Sequence, residues 1–113
     1  MPTTDGMSAG VAPAAAGLAT MAGGRTVDWL LDLRVRTRAD HPFIVYEPFD
    51  GPRRVITYAE FGHRVRQVAA GLRRRGVVPG QRVVIHLDNC PEFLVAWFAC
   101  TRVGAVAVST STR

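Results

Sequence analysis

The chain contains no lysine: all 14 of its basic residues are arginine. That absence removes any lysine chemistry from these residues, whether a Schiff base or an ammonium clamp on a phosphate. Codon bias in a GC-rich genome accounts for it without a function specific to guanidinium groups. Cysteine is nearly absent too. The two thiols, Cys90 and Cys100, are ten residues apart on one predicted helix, which separates them by about 15 Å, far beyond bridging distance. A disulfide scaffold is excluded, and reduced thiols fit a cytoplasmic protein. His41, His63 and His86 form no ligand spacing, so no metal site is expected. Apolar runs fall short of a membrane span.

What is present fits one small domain: 113 residues, 48% of them apolar. The net charge of +5 permits nucleic-acid binding, but the arginines are scattered. The one dense run, Arg73-Arg74-Arg75, falls at a predicted helix C-terminus, where cations meet the open carbonyls and the dipole. No aromatic-interleaved basic motif accompanies it, so no nucleic-acid partner is expected. Residues 1–24, rich in Ala and Gly, lack the positive n-region of a secretory signal. They read as a disordered leader that buries too little to offset its chain entropy.

Order is expected from about residue 25. Thr26 can cap a helix whose Val27, Leu30, Leu31 and Val35 share a face. That helix should end before His41-Pro42, since a residue preceding proline avoids the α region. Phe43–Tyr46 and Val55–Thr57 read as strands around the turn Glu47-Pro48-Phe49-Asp50-Gly51-Pro52, an antiparallel hairpin. Thr57-Tyr58-Ala59-Glu60 is a capping box. The helix behind it carries the stripe Phe61, Val65, Val68, Ala69, Leu72 and stops at Gly76.

Pro79-Gly80 makes a turn. Arg82–Leu87 then reads as a strand covered on both faces. Asp88 or Asn89 is the expected cap of the next helix, with Pro91 and Glu92 in its first turn. Phe93 to Cys100 is apolar all round, as in a helix buried on several sides. Gly104 ends it, and Ala105–Val108 is the last strand. Strand, helix and strand compose a βαβ unit. The expected class is α/β: a helix and a β-hairpin, followed by a βαβ unit of a parallel sheet.

Chemistry is hard to find in these elements. The loop after the first parallel strand, Asp88-Asn89-Cys90-Pro91, has no glycine, and Pro91 lacks an N–H, so it cannot cradle a phosphate as a Gly-rich loop does. Asp88 lies at the carboxyl edge of that strand, where α/β proteins bind ligands, but capping explains it. Cys90 stands at a helix N-terminus without a base nearby in sequence. Ser109-Thr110-Ser111-Thr112 has the hydroxyls of a phosphate loop without its glycine. No catalytic, cofactor-binding or metal-ligating residue is assigned.

Five pieces in order carry a resemblance: Thr57-Tyr58-Ala59-Glu60-Phe61; Gly71-Leu72 to Gly76-Val77; Pro79-Gly80-Gln81-Arg82-Val83; Asn89-Cys90-Pro91-Glu92-Phe93; and Ala96-Trp97-Phe98-Ala99 with Arg102-Val103-Gly104-Ala105-Val106. From about Thr26 onward the chain resembles the opening of the adenylate-forming (AMP-binding) superfamily, which includes the acyl-CoA synthetases. Ser109, Ser111 and Gln81 depart from residues common there. The resemblance implies an ATP-dependent ligase that turns a carboxylic acid into an acyl-adenylate and passes the acyl group to a thiol, as in fatty acid metabolism. ATP, Mg and coenzyme A are implied for the full-length family and none for this segment. The family's phosphate loop, adenine- and ribose-contacting segments and catalytic lysine match no position here. Residues 25–113 are therefore expected to be an incomplete N-terminal piece of an AMP-binding domain, not competent alone and prone to self-association. The alternative is a small non-catalytic interaction module that docks a partner on the apolar helix 91–103.

Overall fold

The computed structural model describes residues 25–113, and the leader expected over 1–24 lies outside them. Three helices and four strands follow one another: α1 Val27–Thr37, β1 Pro42–Tyr46, β2 Arg54–Thr57, α2 Tyr58–Arg74, β3 Arg82–Ile85, α3 Pro91–Val103 and β4 Val106–Ser109. β1 and β2 form the expected antiparallel hairpin, Val45 opposite Val55. β3 and β4 pair in parallel, Val84 opposite Val108, with α3 as the crossover. The α/β class and the βαβ unit are as the sequence implies.

Local chemistry sets the boundaries. The Thr26 hydroxyl accepts the Trp29 N–H at 3.1 Å, capping α1. The Thr57 hydroxyl accepts the Glu60 N–H at 3.2 Å, one half of the capping box. Thr57 is also the last residue of β2, so one residue closes a strand and opens a helix. α2 and α3 end alike. Val77 N–H reaches Leu72 O and Gly76 N–H reaches Arg73 O, while Ala105 N–H reaches Cys100 O and Gly104 N–H reaches Thr101 O. These paired bonds satisfy last-turn carbonyls.

The core lies where α2 and α3 meet, over the hairpin and α1. Phe61, Val65 and Ala69 from α2 face Val95, Ala99 and Val103 from α3, with Leu31 and Ile56 beside them, all buried. Phe61 stands edge-on to Phe43 and Phe98 at 5.0 and 5.2 Å between centroids, geometry that aromatic quadrupoles favour. Tyr58 stacks on Phe43 at 4.7 Å. α1 crosses α2 closely, because a Cβ on Gly62 would lie 2.7 Å from Val35 Cγ2.

Several expectations need correction. Cys90, not Asp88 or Asn89, is the cap residue of α3, and its side chain makes no capping bond. β3 ends at Ile85 rather than Leu87, so the loop before α3 is longer than expected at both ends. β3 is not covered on both faces: Ile85 is buried, but Val84 is 64% exposed. On α1 only Leu31 is buried, and Val27 and Leu30 stay exposed, so an apolar stripe marks which face could be covered and not how much is. Val68 of α2 is likewise exposed.

α3 is enclosed on one side only, less than its composition suggests, with Leu94 exposed and Phe93, Ala96, Trp97 and Phe98 half-buried. Pro91, Val95, Ala99, Cys100 and Val103 are buried. One face of the helix an interaction module would present is thus spent on the core. No helix among the described residues is long and apolar enough to cross a membrane.

Candidate functional site

The carboxyl edge of β3 and β4 is where an α/β sheet presents ligand-binding groups. Here the edge forms an open cleft of about 330 Å³ lined by Leu87, Asp88, Asn89, Phe93 and Ser109–Ser111. One backbone bond and two side-chain pairs cross it. Thr110 N–H donates to Ile85 O at 3.0 Å, extending the ladder past β4. His86 Nδ1 and Thr110 Oγ1 are 2.6 Å apart. The Thr112 hydroxyl donates to Asp88 Oδ1. Asp88, expected as a helix cap, instead ties the segment after β4 to the segment after β3.

Among Asp88–Pro91 no glycine lets the backbone approach an anion, and Pro91 at the first position of α3 has no N–H. Thr110–Thr112 leave β4 as an irregular segment. Cys90 is half-buried at the start of α3, and among the described hydrogen bonds no histidine or carboxylate partners it. Cys100 is enclosed, and burial raises its thiol pKa, which disfavours the thiolate a nucleophile needs. The described residues hold no cluster of three metal-ligating side chains. His41 Nδ1 lies 2.9 Å from Pro42 O, and His63 is exposed on α2.

The organised charges are structural. Arg102, on the last turn of α3, reaches Asp28 and Asp32 on α1 with Nη1–Oδ1 distances of 3.0 and 3.1 Å. Burial lowers the guanidinium pKa while the two carboxylates raise it, and the carboxylates prevail. Arg73 Nη2 donates to the Arg102 carbonyl at 3.3 Å. The arginine run therefore serves a helix end, as expected, but the end belongs to α3 as well as to its own helix. Arg54 Nη2 meets Glu92 Oε1 at 2.9 Å, joining the hairpin to the first turn of α3. That hydrogen bond holds the Glu92 carboxyl below the usual glutamate range. Sequence reading missed both bridges. Only the Asp28/Asp32 spacing of four, one helix face, hints at the first.

Comparison with known proteins accounts for the fold of the described residues. The sequence pattern of the AMP-binding enzymes matches residues 31–113. A crotonobetaine/carnitine–CoA ligase from Salmonella paratyphi A is 31% identical over 91 residues, 80% of this chain and 18% of that ligase. Acetoacetyl-CoA synthetase from Streptomyces lividans superposes with a TM-score of 0.71 at 34% identity, over 74% of this chain and 13% of the synthetase. The N-terminal subdomain of Klebsiella oxytoca NpsA shares the fold with a TM-score of 0.70 at 24% identity, over 79% of this chain and 22% of the subdomain. The chain thus spans about a fifth of the relatives it matches, or less. Over that span, in motif order and in backbone path, it belongs to the family of AMP-binding enzymes.

Proposed function

We infer that residues 25–113 are scaffold from the N-terminal part of an ATP-dependent carboxylate-activating ligase, and that they perform no step of the reaction themselves. The observation that carries this reading is the carboxyl edge of β3 and β4. It stands where an α/β sheet would bind a nucleotide, yet His86 is paired with Thr110 and Asp88 with Thr112, and the loop after β3 has no glycine to cradle an anion. ATP, Mg and coenzyme A would be held by parts of the enzyme that match no residue here. Two relatives above 30% identity are named as a CoA ligase and an acetoacetyl-CoA synthetase, which supports a CoA thioester as product. Their acids differ, and the choice of acid belongs to a pocket these residues do not build. The free, buried Cys100 fits a reducing compartment, and we place the protein in the cytoplasm.

The test is ATP–pyrophosphate exchange by the purified 113-residue chain with acetate, acetoacetate, carnitine and a long-chain fatty acid. No acid-dependent exchange is expected, and ATP with Mg should leave the melting temperature unchanged. Exchange driven by any one acid would overturn the assignment.

A further inference from the structure

An apolar hollow opens where α1 faces the hairpin, the start of α2 and α3. Leu30 and Leu31 of α1 form one wall, and Phe43, Tyr58 and Phe98 form the other. Its volume is about 240 Å³. An apolar cavity of about 150 Å³ already takes up benzene, so this one has room for a single ring and a substituent. The aromatic walls are held in fixed mutual geometry. Phe43 stacks on Tyr58 at 4.7 Å and stands edge-on to Phe98 at 6.5 Å between centroids. A ring entering here meets both faces and edges of other rings, which adds to the gain from burying its apolar area. Leu31 is buried, but Leu30 is 46% exposed, so the hollow is open to solvent. Arg34 completes the lining. It follows Leu31 by three positions and Leu30 by four, on the same side of α1. The described ion pairs belong to Arg53, Arg54 and Arg102, and no acidic side chain lines the hollow.

We propose that this hollow binds a small aromatic anion, its ring against Phe43, Tyr58 and Phe98 and its charged group on the Arg34 guanidinium. The binding is non-covalent and goes beyond the scaffold role inferred above. Size and charge together select the occupant. A neutral ring would leave Arg34 unused, and an anion without a ring would leave the apolar walls in water. The planar guanidinium suits a carboxylate or a sulfonate, either of which accepts two parallel N–H bonds. A protein partner needs more than about 1,000 Å² of buried surface, and a hollow of this size admits about one of its side chains.

The experiment titrates benzoate into the 113-residue chain and follows backbone amide shifts by NMR. Benzyl alcohol serves as the neutral ring and acetate as the anion without one. Benzoate should saturate with a Kd of about 1 mM, the order that so small a ligand reaches. The largest shifts should fall at Leu30, Arg34, Phe43 and Phe98. Benzyl alcohol should bind several-fold more weakly, and acetate should not saturate in the same range. Arg34→Gln should weaken benzoate about fivefold or more and leave benzyl alcohol unchanged. High salt should weaken benzoate in the unaltered chain and not in that variant. Leu30→Asp, at an exposed position where substitution costs the fold little, should abolish benzoate binding. The proposal is overturned by benzoate that does not saturate, by shifts centred elsewhere, by benzyl alcohol binding as tightly as benzoate, or by an Arg34→Gln chain that binds benzoate as before. A concentration-dependent dimer that Leu30→Asp disperses and benzoate does not would make the occupant a second copy and overturns it too.

Discussion

The α2–α3 contact and the β3–β4 sheet are built from similar apolar residues and meet opposite fates. Phe61, Val65, Ala69, Val95, Ala99 and Val103 are all enclosed, whereas of Val83, Val84, Ile85, Val106, Ala107 and Val108 only Ile85 is. Composition does not separate the two groups. What separates them is whether a second layer lies opposite: each helix has the other, and the sheet has α3 on one side only. Burial is a property of the neighbour as much as of the residue.

The largest perturbation should come from emptying the closed side. Phe61→Ala removes the ring at the centre of the aromatic cluster and is expected to cost about 3–5 kcal/mol, enough to abolish cooperative urea unfolding in a chain this small. A loss under about 1 kcal/mol would mean that the helix contact is no tighter than the sheet. Overfilling comes next. Gly62→Ala would gain about 1 kcal/mol in an open helix, but its methyl meets Val35 Cγ2 at 2.7 Å, so a net loss of about 1–2 kcal/mol is expected. Adding Val35→Ala should restore most of the gain, and a double-mutant cycle by chemical denaturation reads the coupling.

Cutting the Arg102 link is milder. Arg102→Ala leaves Asp28 and Asp32 without their shared cation and should cost about 1 kcal/mol, less at high salt because the pair is only partly buried. Equal losses at low and high salt would show that the guanidinium packs rather than pairs. The smallest effect concerns acid. Glu92 has a depressed folded pKa, so the Arg54 pairing contributes fully above the ordinary glutamate range and fades as pH falls through the lowered value. Arg54→Gln should flatten that limb of a stability–pH curve below about pH 4.3, because the small stabilisation it removes is present at neutral pH and already lost in acid. An unchanged limb would assign the acid sensitivity to other carboxylates.

Short-range signals were readable in the sequence. Thr26, Thr57, Gly76 and Gly104 mark their helix ends because a cap is chemistry between residues three to five apart. The hairpin and the βαβ order are readable for the same reason. Asp88 misled because two polar residues stood before Pro91 and either could cap. The Thr112 hydroxyl, 24 positions away, engages it instead. The Arg102–Asp28 and Arg54–Glu92 bridges span 74 and 38 positions and leave no local trace. Val84 misled in the other direction: an unbroken apolar strand implies two covered faces, and the segment provides one. The candidate edge could be located from strand order alone, but its closure by His86–Thr110 and Asp88–Thr112 depends on side chains that only the fold brings together.

One join in the chain acts as a ratchet tooth. The Val78–Gln81 turn closes with the Gln81 N–H on Val78 O, and Gly80 (φ +88°) supplies its left-handed corner. The same Gly80 donates to the carbonyl of Gly104, itself left-handed, and Val106 N–H returns to Gln81 O at 2.7 Å. A methyl on Gly104 would sit 3.2 Å from Pro79 Cβ, so nothing larger slides into that notch. The strands are therefore held in phase at their amino ends. A slip of one residue would swap what points inward with what points outward, so this notch decides which side of the sheet is left to meet its complement.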